Sequence, residues 1–192
     1  TFVHHVLEKT AGEIMEKGGF HVISQEETLE IAHKYAKEYA ESRFADLDSE
    51  RLVYLFQRNA LELDAVVKEL WQELSESEFR PVAFELHFGR DGDMAAVSVP
   101  GRKMDAVLQG FVDRVDAWKE NGQNYFRVVD YKTGKKSFDY CDVFNGLGLQ
   151  MLLYLFALEQ GGEPILGPNP IPAGVQYFPA RAPLVSADGR LS

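Results

Sequence analysis

The sequence has a single cysteine, Cys141, in 192 residues. One thiol excludes an internal disulfide and cannot by itself build a zinc or iron–sulfur site, so no cluster is expected within this chain. Long apolar runs are missing as well. The longest, Leu147 to Leu158, contains Gln150 and Tyr154 and falls short of the roughly 18 residues a membrane span requires. The N-terminus shows neither the basic stretch nor the small-residue cleavage site of an export signal, and a cytoplasmic setting is the expectation. Cations are the third shortage: 20 Lys and Arg face 30 Asp and Glu, for a formal net charge of −10. Over the whole chain, that excess of acid argues against gripping a phosphate backbone, which rests on basic patches.

What is present is 45% hydrophobic and 12% aromatic, enough for a substantial core in one domain. The acid is unevenly spread. Residues 1–101 carry 10 Lys and Arg against 20 Asp and Glu, residues 137–192 carry 2 against 5, and residues 102–136 carry 8 against 5. Only the middle segment is net basic, through Arg102, Lys103, Arg114, Lys119, Arg127, Lys132, Lys135 and Lys136. Apart from Lys132, an ordinary mixed-charge surface hairpin explains these cations as well as a binding role does. Thr1-Phe2-Val3-His4-His5-Val6-Leu7 starts inside a helical pattern with no cap before it, and a polar tail runs to Ser192. The chain therefore reads as a fragment of a longer one.

Hydrophobic period divides the sequence. Residues 2–16 read as a helix stopped by Gly18-Gly19. Ser24-x-x-Glu27 forms a capping box that opens a second helix to about Ser42. Asp48 or Ser49 caps a long third helix, with Leu52, Leu55, Phe56, Leu63, Val66, Val67, Leu70 and Leu74 recurring at threes and fours before Pro81. The period then becomes two. Strands are expected at Val82–Phe88, with Phe84, Leu86 and Phe88 on one face, at Met94–Val99 and at Lys103–Trp118. Arg90-Asp91-Gly92-Asp93 is a turn, and Asn121-Gly122 is a tight hairpin turn leading into Tyr125–Tyr131. Tyr140–Glu159 reads as a helix apolar on nearly every face, hence a core helix, stopped by Gly161-Gly162. A proline-rich loop leads to a last strand, Ala173–Phe178. Helices, four strands, a buried helix and a strand make an α/β fold with a mixed sheet of about five strands flanked by helices. The expected division is a helical segment over residues 1–80, packed on a core over residues 81–192.

Chemistry concentrates in Gly110-Phe111-Val112-Asp113-Arg114-Val115-Asp116 and in Asp130-Tyr131-Lys132-Thr133-Gly134. In a strand, Asp130 and Lys132 project from one face and Tyr131 from the other. Charges gathered at the ends of neighbouring strands are costly beside a core unless something binds them. Two carboxylates and a backbone carbonyl make a hard oxygen site suited to Mg²⁺ or Mn²⁺. A nearby lysine can orient a water or help deprotonate it. The plainer alternative is a salt-bridged hairpin, Asp130 with Lys132 and Arg114 with Asp116. Gln150 and Tyr154 stand one helical turn apart and need polar partners. Glu85 sits among apolar residues, either lining a cleft or on a solvated strand face, the latter being the simpler expectation. Thr133-Gly134-Lys135-Lys136-Ser137 imitates the end of a phosphate-binding loop, but Val129 stands where its first glycine belongs. It is set aside, and no ATPase is expected here.

Taken together, Gly110-x-Val112-Asp113-Arg114-x-Asp116, Asp130-Tyr131-Lys132-Thr133-Gly134 and Gln150-x-x-x-Tyr154 resemble the nuclease domain of the RecB group within the PD-(D/E)XK nucleases. The resemblance implies a restriction-endonuclease-like core and a Mg²⁺-dependent deoxyribonuclease, with Mn²⁺ as a possible substitute. Asp113 and Asp130 would be metal ligands with the Tyr131 carbonyl, and Lys132 would position or activate the attacking water. An upstream helical histidine also ligates the metal in this group. Phe2-Val3-His4-His5-Val6-Leu7 matches that pattern at His4, with His5 about 100° further round the helix. The Gln150 and Tyr154 face would look toward the site and help place DNA or the lysine. Arg114 and Asp116 read as framework rather than chemistry. The implied setting is a helicase–nuclease that processes double-strand break ends for recombination repair. There a single DNA strand would be delivered by a helicase alongside a companion helicase–nuclease subunit. A non-catalytic nuclease-like docking module and a stand-alone RecB- or Cas4-like exonuclease are the alternatives.

Overall fold

The computed structural model describes residues 2–44, 49–89, 92–94, 96–99, 106–132 and 149–181. Arg90, Asp91, Lys103, Thr133–Ser137, Cys141, Asp48 and the expected helix start at Tyr140 lie outside the described residues. The chain opens with α1 (Phe2–Glu16), α2 (Gln25–Phe44) and α3 (Ser49–Glu76). Helix α1 buries Val6, Leu7, Thr10, Ala11 and Ile14, one stripe at helical spacing. It ends where Gly18 and Gly19 take φ of 111° and 97°, and the Gly19 amide donates to the Ile14 carbonyl at 2.9 Å. Ser24 caps α2 by accepting the Glu27 amide at 3.2 Å.

Next come β1 (Arg80–Phe88), β2 (Val97–Val99), β3 (Ala106–Leu108), β4 (Gly110–Glu120) and β5 (Gln123–Lys132). The chain continues through α4 (Gln150–Gly161), the short α5 (Glu163–Leu166) and β6 (Pro170–Pro179). The main sheet has four strands in the order β1-β4-β5-β6, with β2 and β3 in a separate ribbon. Strands β1, β4 and β5 are antiparallel, and β6 runs parallel to β5. The sheet is mixed as expected, with four strands among the described residues where about five were expected. The expected long strand at Lys103–Trp118 breaks at Gln109, because β3 pairs with β2 while β4 pairs with β1 and β5. Met94 makes only a bridge with Phe88, so the strand expected from Met94 starts at Val97. The hairpin turn is as read: Asn121 and Gly122 take φ of 51° and 80°, the left-handed pair a two-residue hairpin favours. Strand β6 tolerates Pro170, Pro172 and Pro179 because, among the described residues, it pairs only with β5 and lies at the sheet edge.

The sheet separates two cores. On one side α1–α3 pack with Val129, Tyr131 and Phe178, and on the other α4 and α5 pack with Leu86, Phe88, Val112, Val115, Phe126 and Val128. Helix α4 buries Met151, Tyr154, Leu155, Ala157 and Leu158, yet Phe156 is 51% exposed. It is a one-sided cover, not a helix buried all round, because the sheet contacts it from one side only. Phe84 packs with the α1–α3 core while Leu86 and Phe88 join the α4 core, so the expected shared face of these three is broken. The break falls at Glu85, whose φ of 46° is left-handed and reverses the side-chain alternation.

Beneath α3 the sheet holds a buried ion network. Arg114 and Asp116 are fully buried, with Arg114 Nε 2.8 Å from Asp116 Oδ1. Arg114 Nη2 lies 3.2 Å from Glu73 Oε1. Arg127 Nε donates to Asp116 Oδ2 at 2.8 Å, and Arg127 Nη2 to Glu73 Oε1 at 2.5 Å. Each charge has an opposite partner, which is what a buried ion needs. Burial works against the Arg114 charge, but the surrounding Tyr131, Asp116 and Glu73 hold its pKa above the usual value.

Candidate active site

The β4–β5 ladder runs from Glu120 opposite Gln123 as far as Arg114 opposite Val129. There the pairing ends and a side chain takes over: the Tyr131 amide donates to Asp113 Oδ2 at 2.6 Å. From the other side of the gap, α1 brings His4. Its Nε2 lies 3.0 Å from the Tyr131 carbonyl oxygen and 3.6 Å from Asp113 Oδ2. The His4 ring stacks on the Tyr131 ring at 5.5 Å and 28°. Tyr131 is anchored beneath by the helical core, where its ring meets Phe178 edge-on at 5.6 Å and Arg114 Nη1 reaches its hydroxyl at 3.5 Å. Burial pushes the Tyr131 phenol up to about 12. His4, Asp113 and the Tyr131 carbonyl, distant in sequence, thus share one point in space. His5 turns toward α2, its ring 5.2 Å from Tyr39.

Asp130 and Lys132 follow on β5 and form a close ion pair. Side-chain exposure is 19% for Asp113, 19% for Asp130 and 29% for Lys132, a half-sheltered site still open to solvent. Apart from the lysine ion pair, the buried Asp130 Oδ2 makes no hydrogen bond of ordinary geometry among the described residues. Burial raises the Asp113 pKa, Asp130 adds to the rise, and the Tyr131 amide and His4 oppose it. The arrangement is short of positive charge for its two acids. Among the described residues no three His, Cys, Asp or Glu side chains gather closely enough to hold a metal ion by themselves. The Tyr131 carbonyl is the further donor on hand.

Tyr154 is placed by packing. It is 3% exposed, stacks on Phe88 at 5.6 Å and 7°, and accepts a hydrogen bond from Gln150 Nε2 at 2.8 Å. Its hydroxyl lies over Gly110, in the space an added Cβ would need. The glycine that opens the first motif and the tyrosine that closes the last are therefore one contact. It ties α4 to the start of the strand bearing Asp113. Gln150 itself is exposed.

Glu85 is exposed, as the simpler sequence reading expected, but its neighbours are not neutral. Burial raises its pKa first, and Asp113 repels it while His4 attracts it. No pattern in the sequence announces this, because a glutamate in left-handed backbone carries no local signal. The stacked pair His87 and Phe111, with rings 4.4 Å apart and 9° from parallel, was not singled out by sequence either.

Comparison with known proteins places the chain. The family model described as the PD-(D/E)XK nuclease superfamily matches residues 1–191. A protein of Symbiobacterium thermophilum, named as the B subunit of an ATP-dependent helicase/deoxyribonuclease, is 39% identical over 142 residues, 72% of this chain and 12% of that protein. Proteins of the same name from Moorella thermoacetica and Clostridium tetani are 32% and 31% identical, covering 98% and 97% of this chain. The chain spans only 17% and 16% of the length of those two relatives. Among the described residues, no helix is long and apolar enough to cross a membrane.

Proposed function

The chain belongs to the PD-(D/E)XK nuclease superfamily, and on that premise we propose that it is the DNA-cutting domain of an AddB-type helicase–nuclease subunit. It would act in the cytoplasm as an exonuclease on a single DNA strand delivered by the helicase, beside an AddA-like helicase–nuclease subunit. Its task would be to process double-strand break ends for recombination repair. The observation that carries this reading is the meeting of His4, Asp113 and the Tyr131 carbonyl at the open end of the β4–β5 ladder.

Nucleases of this superfamily generally use divalent metal ions, and the donors present fit one. Among the described residues a buried carboxylate oxygen on Asp130 is met only by the lysine, and Asp113 is held in a setting that disfavours its anion. Asp113, Asp130, His4 Nε2 and the Tyr131 carbonyl would hold Mg²⁺, or Mn²⁺ in its place. Such an ion, when bound, makes a water more acidic and neutralises charge that develops on the scissile phosphate. The protein's own part is positional. Lys132, braced on Asp130, supplies an ammonium donor that orients the attacking water in line with the leaving oxygen. Tyr131 fixes the Asp113 carboxylate through its amide and offers its carbonyl on the side of His4. Gln150 and Tyr154 support the site by clasping α4 to Gly110. The active unit then spans both the helical segment at residues 1–80, which supplies His4, and the core at residues 81–192.

The test is Mn²⁺-dependent cleavage of single-stranded DNA by the complete protein carrying Asp113→Ala or Lys132→Ala. Cleavage is expected to fall by about 10²-fold or more in each, and calorimetric titration should show a Mn²⁺ site lost in Asp113→Ala. Undiminished cleavage by either variant refutes the proposal.

A further inference from the structure

Beside the site stands an aromatic pair that is not among the candidate ligands. His87 on β1 and Phe111 on β4 are register partners, and their rings lie nearly parallel at 4.4 Å. Leu86, Phe88 and Val112 point into the α4 core. Strand alternation therefore sends His87 and Phe111 out of the opposite face, the one on which α1 and His4 lie. Phe111 is nonetheless 57% exposed. It sits two residues from Asp113, about 7 Å along the strand. The His87 backbone is tied to the turn that follows it. The His87 amide donates to Asp93 Oδ2 at 3.0 Å, and the His87 carbonyl accepts from the Met94 amide at 3.1 Å. A flat, backed and half-open aromatic face, one residue pair beyond the acids, is shaped for another flat ring.

Electrostatics points to the same occupant. A chain of net charge −10 has little to offer a phosphate backbone. Stacking on an aromatic ring holds a base without cations and without regard to its identity. Stacking also needs an unpaired base, which selects for single strands. We infer that the His87–Phe111 pair is a stacking platform for one nucleobase of single-stranded DNA, beside the carboxylate of Asp113. The inference rests on the nuclease reading for its substrate, and its test is a binding measurement that does not require cleavage.

The complete protein carrying Lys132→Ala, in EDTA, is titrated with single-stranded oligonucleotides bearing 2-aminopurine at successive positions. The same variant with Phe111→Ala or Phe111→Trp added is measured in parallel. One position is expected to be quenched on binding, the quenching lost with Phe111→Ala and kept with Phe111→Trp. An abasic residue at that position should weaken binding by about 5- to 150-fold in the Phe111-containing protein and have no further effect with Phe111→Ala. Phe111 is exposed, so circular dichroism should show the same fold in both variants. Quenching that survives Phe111→Ala, or an abasic penalty unchanged by it, overturns the platform. Mn²⁺-dependent cleavage that persists in Lys132→Ala, measured separately without EDTA, would overturn the nuclease reading, whereas the platform is decided by the quenching and abasic results alone.

Discussion

Replacing Arg114 with methionine removes the central charge of the network beneath α3 while nearly keeping its volume. Arg114 and Asp116 are both 0% exposed, so an Asp116 stripped of its partner bears the penalty of an uncompensated buried charge, about 3–5 kcal/mol. Arg127 tempers that penalty. It still reaches Asp116 Oδ2 at 2.8 Å and Glu73 Oε1 at 2.5 Å, so each acid keeps one cation. The expected loss is therefore about 3 kcal/mol, the lower end of that range. In a domain of this size, this lowers the melting temperature by about 6–12 °C. Urea unfolding at neutral pH, followed by Trp71 and Trp118 fluorescence, measures it. The companion variant, Arg114→Met with Asp116→Leu, removes both fully buried charges and should be less destabilised than Arg114→Met alone, because the two sites share one network. A single-variant loss under about 1 kcal/mol, the value of an exposed pair, would refute the reasoning. So would a double variant that costs the full sum.

Two further changes test other parts of the frame. Lys34, then Tyr35 and Lys17, hold the Glu13 carboxyl down to about 2 from an ordinary 4.5. A lowered folded-state pKa stabilises fully above the unfolded value, and that stability is lost as pH falls from 4.5 toward 2. After screening of the exposed lysines it amounts to about 1 kcal/mol, and Glu13→Gln should remove it, flattening the acid limb of a stability–pH curve. Gly110→Ala should destabilise by about 1–3 kcal/mol through its clash with the Tyr154 hydroxyl. Adding Tyr154→Phe should restore part of that loss in a thermal melt.

Much of this arrangement is written locally. Asn121-Gly122 demands left-handed backbone and makes a hairpin, and its two strands carry the paired acids that the sheet brings to one end. The capping serine, the α1 stripe and the Gly18-Gly19 stop are equally local. The misreadings have a common cause in tertiary partnership. Nothing near Gln109 says that the residues before it pair with β2 and those after it with β1 and β5. Arg114 and Asp116 sit two apart and are legible as a pair. That Glu73 and Arg127 complete their network depends on how α3 lands on the sheet. The left-handed backbone at Glu85 was hidden for a different reason, since a glutamate gives no local sign of it. The candidate site residues are named by motif, and the structure adds the geometry by which a helix at the start of the chain meets Asp113 and the Tyr131 carbonyl.

Tyr131 has its ring in the helical core, its amide on Asp113 and its carbonyl at His4. It works as a rivet through two layers of the molecule. Any change that loosens α1, α2 or α3 from the sheet pulls on the same residue whose main chain shapes the proposed cutting site. Partial undocking of the helices would therefore register as lost cleavage before the sheet itself unfolds. A substitution deep among Leu63, Val66 and Leu70, remote from any phosphate, should then read in an assay as an active-site defect.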